Sequence, residues 1–165
     1  MVKVDSVLRE SARLNTLVCL SGTRLVLAPE GLELPNGMTV PQGTPISFQA
    51  APIMENEDIY PRANEFQPFR FVPKAKNDKA DAQEESRART AFACTSPTYM
   101  AFGHGKHACI GRFFASAELK LMLAHIVLHY ELEKIERPLG KWYGMVRVPP
   151  MTAKLKIRTR RHMEV

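Results

Sequence analysis

Little in this chain points to a secreted or membrane-spanning protein. It has only three cysteines, Cys19, Cys94 and Cys109, and an odd count with no paired spacing argues against a disulfide-stapled framework. No stretch approaches the roughly 18 consecutive apolar residues that would cross a bilayer. The opening Met1-Val2-Lys3-Val4-Asp5 runs into a charged segment rather than an apolar one, unlike a secretory leader. No Asn-x-Ser/Thr acceptor occurs, and there is no internal repeat or linker-like composition break, so the 165 residues read as one unit. Lysine and arginine outnumber aspartate and glutamate by 23 to 17. The basic residues form no stripe interleaved with aromatics, so no nucleic-acid partner is expected. General solubility or an acidic protein partner accounts for the excess.

What is present is enough apolar residue, 45%, to build a core, with 12 prolines and 9 glycines favouring a loop-rich plan. Residues 2–14 carry Val4, Val7, Leu8 and Ala12 at helical spacing. Residues 16–50 read as short strands, with a hairpin about Pro35-Asn36-Gly37. Residues 51–73 contain Pro52, Pro61, Pro68 and Pro73 and read as an extended meander, with room for a short helix near 55–59. Residues 74–91 are charged and almost free of large apolar side chains, which predicts a solvated loop or disordered insertion. Residues 112–130 form the clearest helix, with Phe114, Ala117, Leu121, Ala124 and Leu128 recurring at three and four. Residues 131–158 are broken by proline and glycine and end in an alternating, strand-like 154–158.

The segment with chemical content is Phe102-Gly103-His104-Gly105-Lys106-His107-Ala108-Cys109-Ile110-Gly111-Arg112. It places one cysteine in a glycine-punctuated loop just before a helix. Thiolate is the metal-binding form of cysteine, and nearby positive charge and helix N-termini favour it. Lys106, His107 and Arg112 bring charge, while Gly105 and Gly111 leave the backbone free to approach a sulfur or a flat ligand. A zinc site through His104, His107 and Cys109 lacks a fourth ligand, and covalent c-type haem would need Cys-x-x-Cys-His. His125 and His129 stand at i and i+4, a metal-compatible spacing with no evident third ligand. Cys19 and Cys94 read as inert thiols.

Phe102-x-x-Gly105-x-x-x-Cys109-x-Gly111, continued by Arg112-Phe113-Phe114-Ala115, resembles the haem-binding loop of the cytochrome P450 family. Two further motifs resemble family landmarks in the expected order. Glu10-Ser11-Ala12-Arg13 is similar to the Glu-x-x-Arg of the helix called K, and Phe66-Gln67-Pro68-Phe69-Arg70-Phe71 to Phe-x-Pro-x-Arg-Phe. The wording Pro68-Phe69-Arg70-Phe71 and the run from Thr95 to Gly105 resemble fungal members. The resemblance implies a mixed, mainly α fold with small β-hairpin regions. The chain would be the C-terminal, haem-proximal third of a longer protein: K-like helix 2–14, β region 16–50, meander 51–73, charged loop 74–91, cysteine loop 92–111, L-like helix 112–130 and β region 131–158. One departure is Met54-Glu55-Asn56, where many relatives carry a histidine, a basic residue and aspartate.

The resemblance also implies roles. Cys109 would be the axial ligand of haem b iron, with Phe102 packed beside it. His107 and Arg24 would reach haem propionates, and Arg112 a propionate or the electron donor. Glu10, Arg13 and Arg70 would form a structural network. The implied activity is a monooxygenase reaction drawing electrons from an NADPH-dependent reductase and using O2 on a lipophilic small molecule. Longer relatives are expected to be anchored to the endoplasmic reticulum; this chain carries no membrane span. The alternatives are a catalytically inactive truncated fragment and a small basic interaction module.

Overall fold

The computed structural model describes residues 2–73, 80–136 and 138–160. The first element is helix α1 (Val2–Leu14). Asp5 in its first turn and Arg13 in its last suit the helix dipole. Its final carbonyls are taken up by the Asn15 amide and side chain on Ser11 O and by Thr16 Oγ1 on Arg13 O, which terminates it. The apolar spacing predicts the helix but not its buried side. The residues α1 buries are Ser6, Arg9, Glu10, Arg13 and Leu14, a largely polar face.

That face meets the centre of the molecule. The described core gathers Ala50, Ala51, Met54, Tyr60, Ala63, Phe92, Tyr99 and Met100 around it. Glu10 and Arg13 are themselves fully buried. The Glu10 carboxylate accepts from Arg13 Nε (2.8 Å) and Nη2 (3.0 Å), from the Gln67 backbone N–H (3.0 Å) and from Arg70 Nε (3.0 Å). Arg13 spends its other N–H groups on Met54 O (2.7 Å) and Ala63 O (2.6 Å). Arg70 donates to the carbonyls of Pro61, Arg62 and Glu65. Two arginines and one carboxylate thus organise the 54–71 meander through hydrogen bonds to its backbone, a task that apolar side chains cannot do.

The strands form antiparallel pairs. Strand β1 (Leu20–Leu25) is followed by β2 (Leu32–Glu33) and β3 (Thr39–Val40), which make the hairpin about Gly37. Strand β4 (Pro45–Gln49) then returns to β1, with an irregular register between Ser21 and Arg24. Helix α2 (Ala50–Met54) follows directly. It lies earlier than the 55–59 expected, because Pro52 falls in the first turn, where a missing N–H is tolerated. Helix α3 (Ala80–Thr90) replaces the solvated loop expected there. Its Ala, Gln, Glu and Arg residues are strong helix formers even without an apolar face, and Arg89 pairs with Glu85 one turn away. The rest of that expectation, 74–79, lies outside the described residues.

After the cysteine segment come α4 (Arg112–His129), β5 (Tyr130–Leu132), β6 (Lys141–Tyr143), β7 (Val146–Val148) and β8 (Ile157–Thr159). Strand β8 closes on β5, and β6 and β7 form a hairpin at Gly144. Arg147 ties that hairpin to the end of α1 through Nη1 to Leu14 O (2.9 Å) and its N–H to Leu17 O (2.7 Å). No described helix is long and apolar enough to cross a membrane.

Burial pushes the Glu10 carboxyl up, but the hydrogen bonds from Arg13, Gln67 and Arg70 outweigh it and hold the pKa below the ordinary value. Glu10→Ala leaves two arginines facing an empty acceptor position, so it should lower the unfolding free energy by about 3–5 kcal/mol in urea titrations. A depressed folded pKa also gives a sign. The Glu10 contribution is complete above the unfolded value, about pH 4.3, and is lost as the pH falls through the folded value. Urea midpoints should therefore fall on acidification through that range, and fall less steeply in Glu10→Gln.

Candidate functional site

Cys109 sits on the exposed surface in a loop built by its own backbone. The Cys109 N–H donates to Phe102 O at 2.8 Å, closing the segment on itself. Gly103 and Gly105 take φ of +70° and +73°, the left-handed region that other residues enter only under strain. A single 3-10 turn, Gly105–His107, carries Lys106 and His107 outward. Gly111 caps α4, and a Cβ added there would stand 4.0 Å from Cys109 Sγ. The sulfur therefore lies against the start of a long helix, whose positive end favours an anion.

Arg112 does something the sequence does not suggest. Its Nη1 donates to Cys109 O at 2.8 Å, and its guanidinium lies 4.4 Å from the Phe113 ring centre. It thus braces the main chain of the cysteine. Phe102 is half-buried, and its ring meets Phe92 edge-on at 5.1 Å. Arg24 is exposed on β1 and donates to Thr23 O. The same strand approaches the loop at Ser21, whose Oγ is 3.9 Å from a Cβ built on Gly103. His104 shares a hydrogen bond with Thr95 Oγ1 (3.0 Å). Glu10, Arg13 and Arg70 meet in the interior, in the network described above. Among the described residues no three His, Cys, Asp or Glu side chains gather as a metal-ligand group. His125 and His129 lie with ring centres 4.4 Å apart on α4.

The apolar residues around the sulfur are turned outward. Ile110 is 96% exposed, Phe113 60% and Phe114 74%. Leu121 and Leu128, further along the stripe that marks α4 in the sequence, are also exposed. Large apolar side chains exposed along one loop and the helix after it mark a candidate contact face. One thiol beside an apolar surface, with cationic side chains on the same loop, is a donor set that fits a haem bound through sulfur.

Sequence reasoning missed the residues that hold the start of this segment. Arg9 Nη1 donates to Ala91 O (2.6 Å) and Cys94 O (2.8 Å), and its guanidinium lies 3.8 Å from the Tyr99 ring centre and 4.9 Å from that of Phe71. Burial pushes the Arg9 pKa down and the Tyr99 phenol up. Asp5 accepts the Phe92 N–H. Their i, i+4 spacing was visible, but a charged pair on a helix usually reads as a solvated face.

Comparison with known proteins gives the family. The cytochrome P450 family profile matches residues 1–157. Cytochrome P450 monooxygenase avaL of Aspergillus versicolor is 40% identical over 95% of this chain and 27% of its own length. Cytochrome P450 monooxygenase tenB of Beauveria bassiana is 38% identical over 98% of this chain and 31% of its own. The structure of retinoic-acid-bound cyanobacterial CYP120A1 superposes with a TM-score of 0.69 at 22% identity, covering 96% of this chain and 32% of that one. A mixed helix-and-hairpin fold with a glycine-held cysteine loop is thus the cytochrome P450 fold. The chain belongs to the cytochrome P450 family, and it spans under a third of the length of these relatives.

Gly105→Ala should lower stability by about 1–2 kcal/mol through backbone strain alone, since a Cβ there meets nothing within 4 Å. Thermal melts of Gly105→Ala against the native chain check this.

Proposed function

We propose that this chain is the C-terminal, haem-proximal part of a haem-thiolate monooxygenase, with Cys109 as the axial ligand of haem b iron. The observation that carries the reading is the exposed Cys109 in a hydrogen-bonded loop beside exposed Ile110, Phe113 and Phe114. Family membership supports it. Haem bound there would supply the activation of O2 that inserts one oxygen atom into a C–H bond of a lipophilic substrate.

The chain's own residues then have separable tasks. Cys109 presents the sulfur, and the Phe102 carbonyl and Arg112 hold its backbone on either side. Gly111 keeps side-chain bulk away from the sulfur, and Gly105 supplies a left-handed turn in the loop. Ile110, Phe113 and Phe114 offer apolar surface that a porphyrin would cover, excluding water from the sulfur. His107 is placed to meet a propionate, while Arg24 and Arg112 can do so only with the guanidinium N–H groups not given to Thr23 O and Cys109 O. The exposed Lys106 ammonium, beside the exposed His107, suits an acidic NADPH-dependent reductase as electron donor. Glu10, Arg13 and Arg70 act as scaffold.

A second reading, an inactive fragment, is favoured by the length of the relatives and by the exposed stripe on α4. One experiment separates the two. The purified chain is mixed with haem, reduced and exposed to carbon monoxide. A strongly red-shifted Soret band that disappears in Cys109→Ala is the expected outcome. No haem uptake by the native chain would favour the fragment reading.

A further inference from the structure

We propose that Asp5 is a positioning residue for Cys109, acting through Phe92 and Phe102; this rests on the reading of Cys109 as the haem ligand. Asp5 Oδ1 accepts the Phe92 N–H at 3.0 Å and pairs with Lys120 Nζ at 2.7 Å. Phe92 opens the cysteine loop and Lys120 lies in α4 after it. A single carboxylate therefore ties together the two arms from which the loop hangs. Both charged side chains are mostly buried, 16% and 22% exposed, so solvent screens this pair less than an ordinary surface pair.

The connection continues to the sulfur through contiguous contacts. Phe92 is buried, and its ring packs edge-on against Phe102. The Phe102 carbonyl accepts the Cys109 N–H. One helical turn after Asp5, Arg9 grips Ala91 O and Cys94 O, so Phe92 is held from both sides and cannot drift without breaking a charge-assisted bond. The groups facing Asp5 are thus the cations Lys120 and Arg9 and a backbone amide, an environment in which a neutral side chain would leave Lys120 unpaired. Spatial adjacency alone does not establish coupling, so the test must read the cysteine itself.

Amide hydrogen exchange in the full 165-residue chain supplies that reading without haem. The Cys109 amide is followed in the native chain, Asp5→Ala, Asp5→Asn and Lys120→Met. The Val26 amide, bonded to Thr44 O in the β1–β4 region, serves as reference. Asp5→Ala should speed Cys109 exchange about tenfold or more relative to Val26, the loss expected for one hydrogen bond to a charged acceptor. Asp5→Asn keeps an oxygen for the Phe92 N–H and should fall between the native chain and Asp5→Ala. Lys120→Met should speed Cys109 less than Asp5→Ala does. Equal acceleration at Cys109 and Val26 would show general destabilisation and overturn the proposal, as would unchanged Cys109 exchange in Asp5→Ala. The haem reading is judged apart from this, by carbon monoxide spectra of the same variants. If exchange responds but the native chain takes up no haem, Asp5 still positions Cys109 and only the haem reading falls.

Discussion

The buried carboxylate of Glu10 is the constraint on which the rest of the structure depends. A charge taken out of water is tolerable only when its lone pairs are filled. Here they are filled by two arginines and a backbone amide. Those arginines in turn need acceptors, and they find them in the carbonyls of Met54, Pro61, Arg62 and Ala63. The meander has little regular hydrogen bonding of its own, so this polar centre stands in for a strand ladder or a helix. It fixes one face of α1, and two further charged residues of that helix, Asp5 and Arg9, then reach the segment that leads to Cys109.

Much of this was legible from residue patterns. Helices α1 and α4, the hairpin about Asn36-Gly37 and the cysteine loop follow from local rules that need few neighbours. The loop motif in particular encodes backbone geometry, because Gly103 and Gly105 sit where only glycine is unstrained. Glu10, Arg13 and Arg70 were also readable, through resemblance rather than from spacing alone, since a Glu-x-x-Arg pair looks the same on a surface as in a core.

What stayed hidden has a common cause. Helix α3, whose only apolar residues are alanines, looked like a loop because hydrophobic periodicity is silent where a helix has no large apolar side chains, although propensity was speaking for it. The placement of α2 turned on where a proline falls within a turn. The roles of Arg9, Asp5 and Arg112 depend on which carbonyl or amide lies within reach, and those partners are distant in sequence or are main-chain groups that every residue shares. A side chain that bonds to backbone leaves no complementary residue to find.

The order in which the chain is made bears on the tie between α1 and its partners. The groups that satisfy α1 are far along the chain: Arg70 lies 60 residues after Glu10, Cys94 lies 85 after Arg9, and Arg147 lies 133 after Leu14. During synthesis α1 therefore emerges before these partners of its charged face. It can be buried only after the loop entropy of those long closures has been overcome. Its polarity is then an advantage, because a helix that must wait for its partners is less prone to clump when the waiting face is charged than when it is greasy.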